Sequence, residues 1–157
     1  MMGRAFVLTG APGVGSGTLI AAAAGLPGVR IVVTETTDPA PGPECEVLAP
    51  HVFDRRRRAG GFALEWDHAG HPCAIPADAL TAQAAGRDVV MVLPFAQLAA
   101  AARCFPNLTV LHVTRPGVSP PDAEAAIPPG LPVTIIDNGG ALSLARAALI
   151  AALTDRG

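Results

Sequence analysis

The hydrophobic positions of the chain fall into short runs that predict alternating strands and helices. Apolar and β-branched runs at residues 5–8, 29–34, 88–93, 108–114 and 133–137 are typical of buried parallel strands. Amphipathic or alanine-rich segments at 19–24, 51–59, 77–85, 95–104 and 141–153 predict helices, with Pro76 in the first turn of the third. This alternation predicts an α/β fold with a mainly parallel sheet covered by helices on both faces.

A different pattern occupies the middle of the chain. Residues 62–68 (FALEWDH) place Phe62, Leu64 and Trp66 on one side of a strand and Glu65 and Asp67 on the other, which predicts a half-buried strand followed by a small hairpin. Residues 35–50 are rich in proline, threonine and acids and predict a connection with little regular structure. The proline-rich stretch 116–132 cannot form a long helix.

The first strand leads into a glycine-rich turn, GAPGVGSGT, and then into a helix. In a phosphate loop of the form GxxxxGK[ST], backbone N–H groups face the phosphates and a lysine reaches the outermost ones. Ser16 stands at the lysine position, Gly17 follows it, and the chain contains no lysine. The pattern predicts phosphate or nucleotide binding by Gly10, Ala11, Pro12, Gly13, Val14, Gly15, Ser16, Gly17 and Thr18.

Two other interpretations of this turn stay open. A glycine-rich turn can simply let a helix pack closely on a sheet, without any ligand. A dinucleotide-binding turn is the other alternative, because Glu35 follows the second strand where that fold places an acid against a ribose. The glycine spacing fits a dinucleotide-binding turn poorly.

Length, charge and residue usage exclude several classes of protein. The 157 residues suit one domain, and every apolar run ends well before the roughly 20 residues of a membrane span. A net charge of −2 with no extended basic face argues against nucleic acid. The three cysteines and four histidines have no metal-ligand spacing, so no metal site is predicted. Without a secretory leader pattern, a cytoplasmic protein is expected.

Residues 53–90 contain Arg58, the segment GGFALEWDHAGHPCAIP and then AGRDVV. Together with the loop at 10–18 and the Asp137-Asn138-Gly139 element, they resemble the ribose 1,5-bisphosphate phosphokinases, guanylate-kinase-like enzymes of phosphonate breakdown. The resemblance implies a P-loop NTPase fold of the nucleoside-monophosphate-kinase type. It also implies ATP and magnesium as cofactors, Asn138 in the nucleotide site, and formation of phosphoribosyl pyrophosphate.

The resemblance further implies how one domain, residues 1–157, is divided. Residues 35–75 would form an inserted acceptor-binding region with a small β-hairpin, in which Glu65 and Asp67 would contact a small phosphorylated ligand. Residues 115–132 would form a shortened lid.

The chain departs from the family pattern where the family has cations. Ser16 replaces the loop lysine, residues 34–37 (TETT) replace an arginine-bearing segment, and residues 94–96 (PFA) replace an asparagine and a serine-arginine pair. Phosphoryl transfer depends on positioning and on cations that stabilise developing charge. Two hypotheses therefore stay open: a kinase in which Arg115 or one of residues 55–58, such as Arg58, replaces the lysine, or a non-catalytic relative that binds a phosphorylated ligand or a partner protein. The sequence leaves the oligomeric state open.

Overall fold

The computed structural model describes residues 2–11, 14–117 and 127–155. Within them the chain forms nine strands and five α-helices, with 3₁₀ turns at Ile20–Ala23 and Phe95–Gln97. The strands are β1 (Ala5–Thr9), β2 (Val29–Ile31), β3 (Thr34–Thr36), β4 (Cys45–Val47), β5 (Phe62–His68), β6 (His71–Pro76), β7 (Asp88–Val92), β8 (Leu108–Thr114) and β9 (Val133–Asp137). The helices are α1 (Ser16–Leu19), α2 (Pro50–Arg58), α3 (Asp78–Ala84), α4 (Leu98–Cys104) and α5 (Leu142–Thr154).

The main sheet has the strand order β2-β7-β1-β8-β9, and every neighbouring pair is parallel. Alternate residues of the central β1 enter two separate cores: Ala5 and Val7 pack with α3 and α4, whereas Phe6 and Leu8 pack with α1 and α5. A strand buried on both faces requires the continuous apolar sequence that β1 and β7 have. The predicted mainly parallel α/β sheet with helices on both faces is confirmed.

The predicted second strand, residues 29–34, is wrong as one element because the chain changes sheets within it. The Val32 N–H still donates to Val90 O of the main sheet at 2.8 Å. Two residues later the Thr34 N–H donates to Glu44 O at 3.2 Å, where β3 begins to pair with β4. Apolar periodicity alone cannot reveal which sheet supplies the hydrogen-bond partners.

A second sheet has the order β4-β3-β6-β5 and contains the predicted β5–β6 hairpin. Helix α2 covers one face of it through Phe53, which is 2% exposed and packs with Leu48 and Ala74. The prediction of little regular structure for residues 35–50 is wrong in part, since β3 and β4 lie there. Pro76 ends β6 instead of starting α3, a position where no ladder N–H is needed.

The helices predicted at 51–59, 77–85, 95–104 and 141–153 are confirmed to within three residues at each end. The helix predicted at 19–24 begins earlier, as α1, and continues as a 3₁₀ turn to Ala23. The predicted lid stretch 116–132 lies partly outside the described residues. No helix in the described ranges is long and apolar enough to cross a bilayer.

Candidate functional site

The glycine-rich turn joins the carboxyl end of β1 to α1, as a phosphate loop does. At Gly10, a Cβ atom would lie 2.6 Å from Val113 O, so only glycine lets β1 leave the sheet this close to β8. Gly15 has φ 88° and its carbonyl accepts the Leu19 N–H at 2.9 Å. The strand, turn and helix predicted around the loop are confirmed, while the predicted ligand contacts of Pro12 and Gly13 fall outside the described residues.

Asn138 fixes this loop from the end of β9. Its Nδ2 donates to Val14 O at 2.8 Å, and its backbone N–H donates to Thr114 O at 2.8 Å. A Cβ at Gly15 would lie 2.8 Å from the same Nδ2. The resemblance placed Asn138 in the nucleotide site, and in this structure its amide donor is already used to hold the loop. Direct nucleotide contact by Asn138 stays a prediction.

A cleft separates the loop from the second sheet. This cleft, called the loop cleft below, encloses about 570 Å³. Its walls are the carboxyl ends of the main-sheet strands, one face of the second sheet, and the connection between β3 and β4. Its lining includes Thr9, Gly17, Thr34, Asp38, Glu44, Trp66, His68 and Phe95.

The charges in the loop cleft are the reverse of those expected for a phosphate site. Among the described residues that line it, Asp38 and Glu44 carry carboxylates and none is an arginine. The Glu44 carboxylate lies directly against Gly17. A Cβ atom added at Gly17 would collide with Glu44 Oε2. The acid thus occupies space next to the residue that follows the missing lysine.

Several hydroxyl groups around the loop are buried without a hydrogen-bond partner among the described residues. They are Thr9 Oγ1, Ser16 Oγ and Thr34 Oγ1. The Thr9 and Thr34 side chains belong to residues that are 0% and 3% exposed, and both line the loop cleft. Since nearly all buried polar atoms in proteins are paired, these groups indicate a place for a bound polar molecule.

The two faces of the second sheet have different surroundings. Thr36, Cys73 and Trp66 are cross-strand neighbours on the face toward the loop cleft, while Glu35, Ala74 and Glu65 are neighbours on the face toward α2. Trp66 packs partly against the main core and also lines the cleft.

Glu65 and Asp67 therefore point away from the loop cleft. Glu65 Oε1 accepts a hydrogen bond from Arg57 Nε at 2.7 Å on the α2 side. Both acids are exposed, and neither lines the cleft. The geometry favours Trp66 and His68 as the cleft residues of β5, and an acceptor contact by Glu65 or Asp67 finds no support in it.

The arginines proposed to replace the lysine also lie elsewhere. Arg58 is 80% exposed and its Nη2 lies 2.7 Å from Asp54 Oδ2 within α2. Arg115 is exposed and comes directly after β8. Neither belongs to the described lining of the loop cleft, and this arrangement gives no support to a catalytic role for Arg58 or Arg115.

Glu35 lies on the far side of the second sheet, in a separate cavity lined also by Arg30, Arg56 and Asp78. Arg56 pairs with its carboxylate, yet burial raises the pKa of Glu35 above its usual range. Arg56 lowers this pKa and so offsets part of the effect of burial, whereas the nearby acids Glu46 and Asp78 raise the pKa further. The dinucleotide interpretation is wrong on this point, because Glu35 does not face the glycine-rich loop.

Two cysteines sit at the loop cleft but are poor nucleophiles. Burial, together with the neighbouring Glu44 carboxylate, raises the pKa of Cys45 to about 12. Burial also raises the pKa of Cys73. Because the thiolate is the reactive form, neither side chain supports covalent catalysis at neutral pH.

The residues present do not fit ATP with magnesium well. The loop offers no cation for the β- and γ-phosphates, and Gly17 stands where the family pattern has the hydroxyl that holds the metal. No group of three potential metal ligands among His, Cys, Asp and Glu occurs in the described ranges. The use of ATP and magnesium by this chain stays a prediction from the resemblance.

Sequence reasoning missed the acidic part of the cleft. Asp38 and Glu44 lie in the proline-rich connection 35–50, which has no motif spacing. The one indication in the sequence is that residues 34–37 lack the arginine of the family pattern and are followed by the acids Asp38 and Glu44.

The main-sheet order, the loop after β1 and the second sheet define a P-loop protein of the nucleoside-monophosphate-kinase type. Guanylate kinase from Anaplasma phagocytophilum shares this fold with a TM-score of 0.68 at 14% identity, over 99% of this chain and 88% of that one. No family model matches the chain.

The curated relatives that resemble the chain in sequence share one activity in their names. Ribose 1,5-bisphosphate phosphokinases from Azotobacter vinelandii and Bradyrhizobium diazoefficiens are 35% and 30% identical to it over 73% and 78% of this chain. The bifunctional ribose 1,5-bisphosphokinase-thymidine phosphorylase of Azorhizobium caulinodans is 33% identical over 73% of this chain. The chain spans 65%, 63% and 17% of these three relatives, in that order.

The chain thus resembles the ribose 1,5-bisphosphate phosphokinases in sequence and shares the fold of a guanylate kinase.

Proposed function

We propose that this kinase-like chain binds a small ligand in the loop cleft and transfers phosphate from ATP to ribose 1,5-bisphosphate slowly or not at all. The observation that carries the proposal is the charge of the cleft, whose described lining contains two carboxylates and no arginine. Transfer requires cations on the β- and γ-phosphates and a group that holds the acceptor phosphate. The chain supplies neither at the expected positions.

The alternative, a working kinase with a substitute arginine, requires precise placement as well as charge. The planar guanidinium approaches phosphate differently from an ammonium group. Arg58 is paired with Asp54, and Arg115 is exposed beyond the end of β8. These positions favour the non-catalytic proposal. We expect the substrates that the resemblance implies, and a role in phosphonate breakdown, only if this chain is a working kinase.

The test is formation of phosphoribosyl pyrophosphate from ATP and ribose 1,5-bisphosphate by purified protein. Kinases typically turn over at about 1 to 100 per second. We expect a rate well below about 1 per second, with the Azotobacter vinelandii relative as the positive control in the same assay. A rate in the ordinary kinase range would refute the proposal and favour the substitute arginine.

A further inference from the structure

The connection between β3 and β4 places a carboxylate at the phosphate loop. The Glu44 side chain lies between two glycines: a Cβ at Gly42 would lie 2.6 and 2.8 Å from its two carboxylate oxygens, and a Cβ at Gly17 would collide with it. At Gly17 the same Cβ would also lie 3.3 Å from Pro43 Cδ. Glu44 is half-buried and held against the start of α1, at the place a phosphate would approach.

Nothing among the described lining residues neutralises this charge. Asp38 adds a second carboxylate, and the only basic side chain there is that of His68. Two like charges within about 5 Å in a partly desolvated cleft repel each other, because an effective dielectric near 20 screens them far less than bulk water does. Each phosphate group on a ligand would therefore weaken its binding here.

The remaining groups fit a different ligand. Thr9 Oγ1 and Thr34 Oγ1 are buried, line the cleft, and lack partners among the described residues. Hydroxyl groups can donate or accept, whereas the carboxylates of Asp38 and Glu44 only accept. The rings of Trp66 and Phe95 add flat apolar surface on the walls.

We propose that the loop cleft binds an uncharged or cationic ring compound that carries amino or hydroxyl donors, as a nucleoside does, and that Glu44 excludes its phosphate esters. The inference rests on the proposed function, since both need a cleft that has lost its cations. It goes further in assigning the ligand class and the residue that determines it.

The experiment measures the affinities of adenosine, AMP and ATP by titration calorimetry, without and with magnesium, on the full chain. The three probes share a base and a sugar and differ only in phosphate. We expect adenosine to bind most tightly and each added phosphate to reduce affinity. Glu44→Gln should raise ATP affinity about 10-fold, since it removes one like charge at short range.

Glu46→Gln is the matched control. Glu46 is the same residue type two positions along the chain, but it is exposed and faces away from the loop cleft. Its effect on ATP affinity should stay within about twofold, because solvent screens exposed charges beyond roughly 8 Å. A melting curve of each variant establishes that it is folded.

The inference is overturned by no measurable adenosine binding, by affinity that rises with phosphate number in the natural protein, or by equal effects of Glu44→Gln and Glu46→Gln. A magnesium-dependent gain in ATP affinity that Glu44→Gln abolishes would also overturn it, since Glu44 would then hold the metal. Tight ATP binding without formation of phosphoribosyl pyrophosphate contradicts this inference but agrees with the proposed function. Formation of phosphoribosyl pyrophosphate in the ordinary kinase range refutes both.

Discussion

Restoring the missing cation should help phosphate binding only after the opposing carboxylate is removed. Ser16→Lys places an ammonium group at the lysine position of the loop, directly before Gly17. The Glu44 carboxylate already lies against Gly17, so the new lysine has an ion-pair partner within the protein. The single variant is therefore expected to gain little affinity for ATP.

The size of the effect follows from Coulomb's law. A lysine about 5 Å from a phosphate, at an effective dielectric near 20, gains about 3 kcal/mol before desolvation and solvent screening, which leave about 1 to 2 kcal/mol. That gain corresponds to about 5- to 30-fold in affinity. In the Ser16→Lys/Glu44→Gln double variant the lysine is free for the ligand, and the combined gain should exceed the product of the two single effects.

A double-mutant cycle on ATP affinity measures this coupling. Ser16→Met controls for the added side-chain length without charge. Turnover should stay below the ordinary kinase range even in the double variant, since the family's other cations are also absent from residues 34–37 and 94–96. Single effects that simply multiply would show that Glu44 does not hold the new lysine, and the reasoning about the cleft charge would fail.

Three further predictions concern the second sheet. Phe53→Ala should cost about 3 to 5 kcal/mol in the free energy of urea unfolding, since Phe53 is 2% exposed and its ring lies 4.7 Å from that of Phe62; a loss no greater than that of the exposed-site control Val47→Ala would contradict this. Burial raises the pKa of Glu35 above 4.5, so the folded state holds the Glu35 proton more tightly than the unfolded chain does. The natural protein should therefore lose stability relative to Glu35→Gln as the pH rises above 4.5. A pH-independent difference between the two free energies of unfolding would refute this prediction. Cys45, with a pKa of about 12, should react slowly with iodoacetamide at neutral pH and faster in the Glu44→Gln variant, as mapped by mass spectrometry; identical rates would exclude the influence of the carboxylate.

The main sheet could be predicted because its determinants are local. Strands β7 and β8 are mostly apolar and β-branched runs whose ends lie within one residue of the predicted bounds, and Gly86 marks the turn before β7. The chain's transfer between sheets at residues 32–34 could not, because it depends on whether the partner is Val90 or Glu44. Val90 is far along the chain and Glu44 lies in an irregular segment, so the periodicity of residues 29–34 identifies neither partner.

The candidate site was predictable only where a motif marks it. The loop's glycines and Asn138 could be placed together because the resemblance links two segments more than 100 residues apart, and the 2.8 Å bond from Asn138 Nδ2 to Val14 O joins them. Glu65 and Asp67 were assigned to one side of a strand correctly, but the placement of Phe62 with Leu64 and Trp66 is wrong, because a bulge after Phe62 turns its ring toward Phe53 of α2. The sequence also does not tell which side of the strand faces the cleft. Helix α2, anchored by Phe53 against Ala74, covers the side that carries Glu65 and leaves Trp66 facing the loop.

The sign of the charge at the loop decides between the functions that this fold can support. A glycine-rich turn supplies backbone N–H groups to an anion regardless of the side chains around it, so the fold alone would favour phosphate. Side-chain charges act over a longer range and are stronger than single N–H dipoles in a half-enclosed cleft. Here those charges are Asp38 and Glu44. With Glu44 held against Gly17 and no lysine in the chain, the fold's preference for phosphate is opposed at the place where the phosphate would bind.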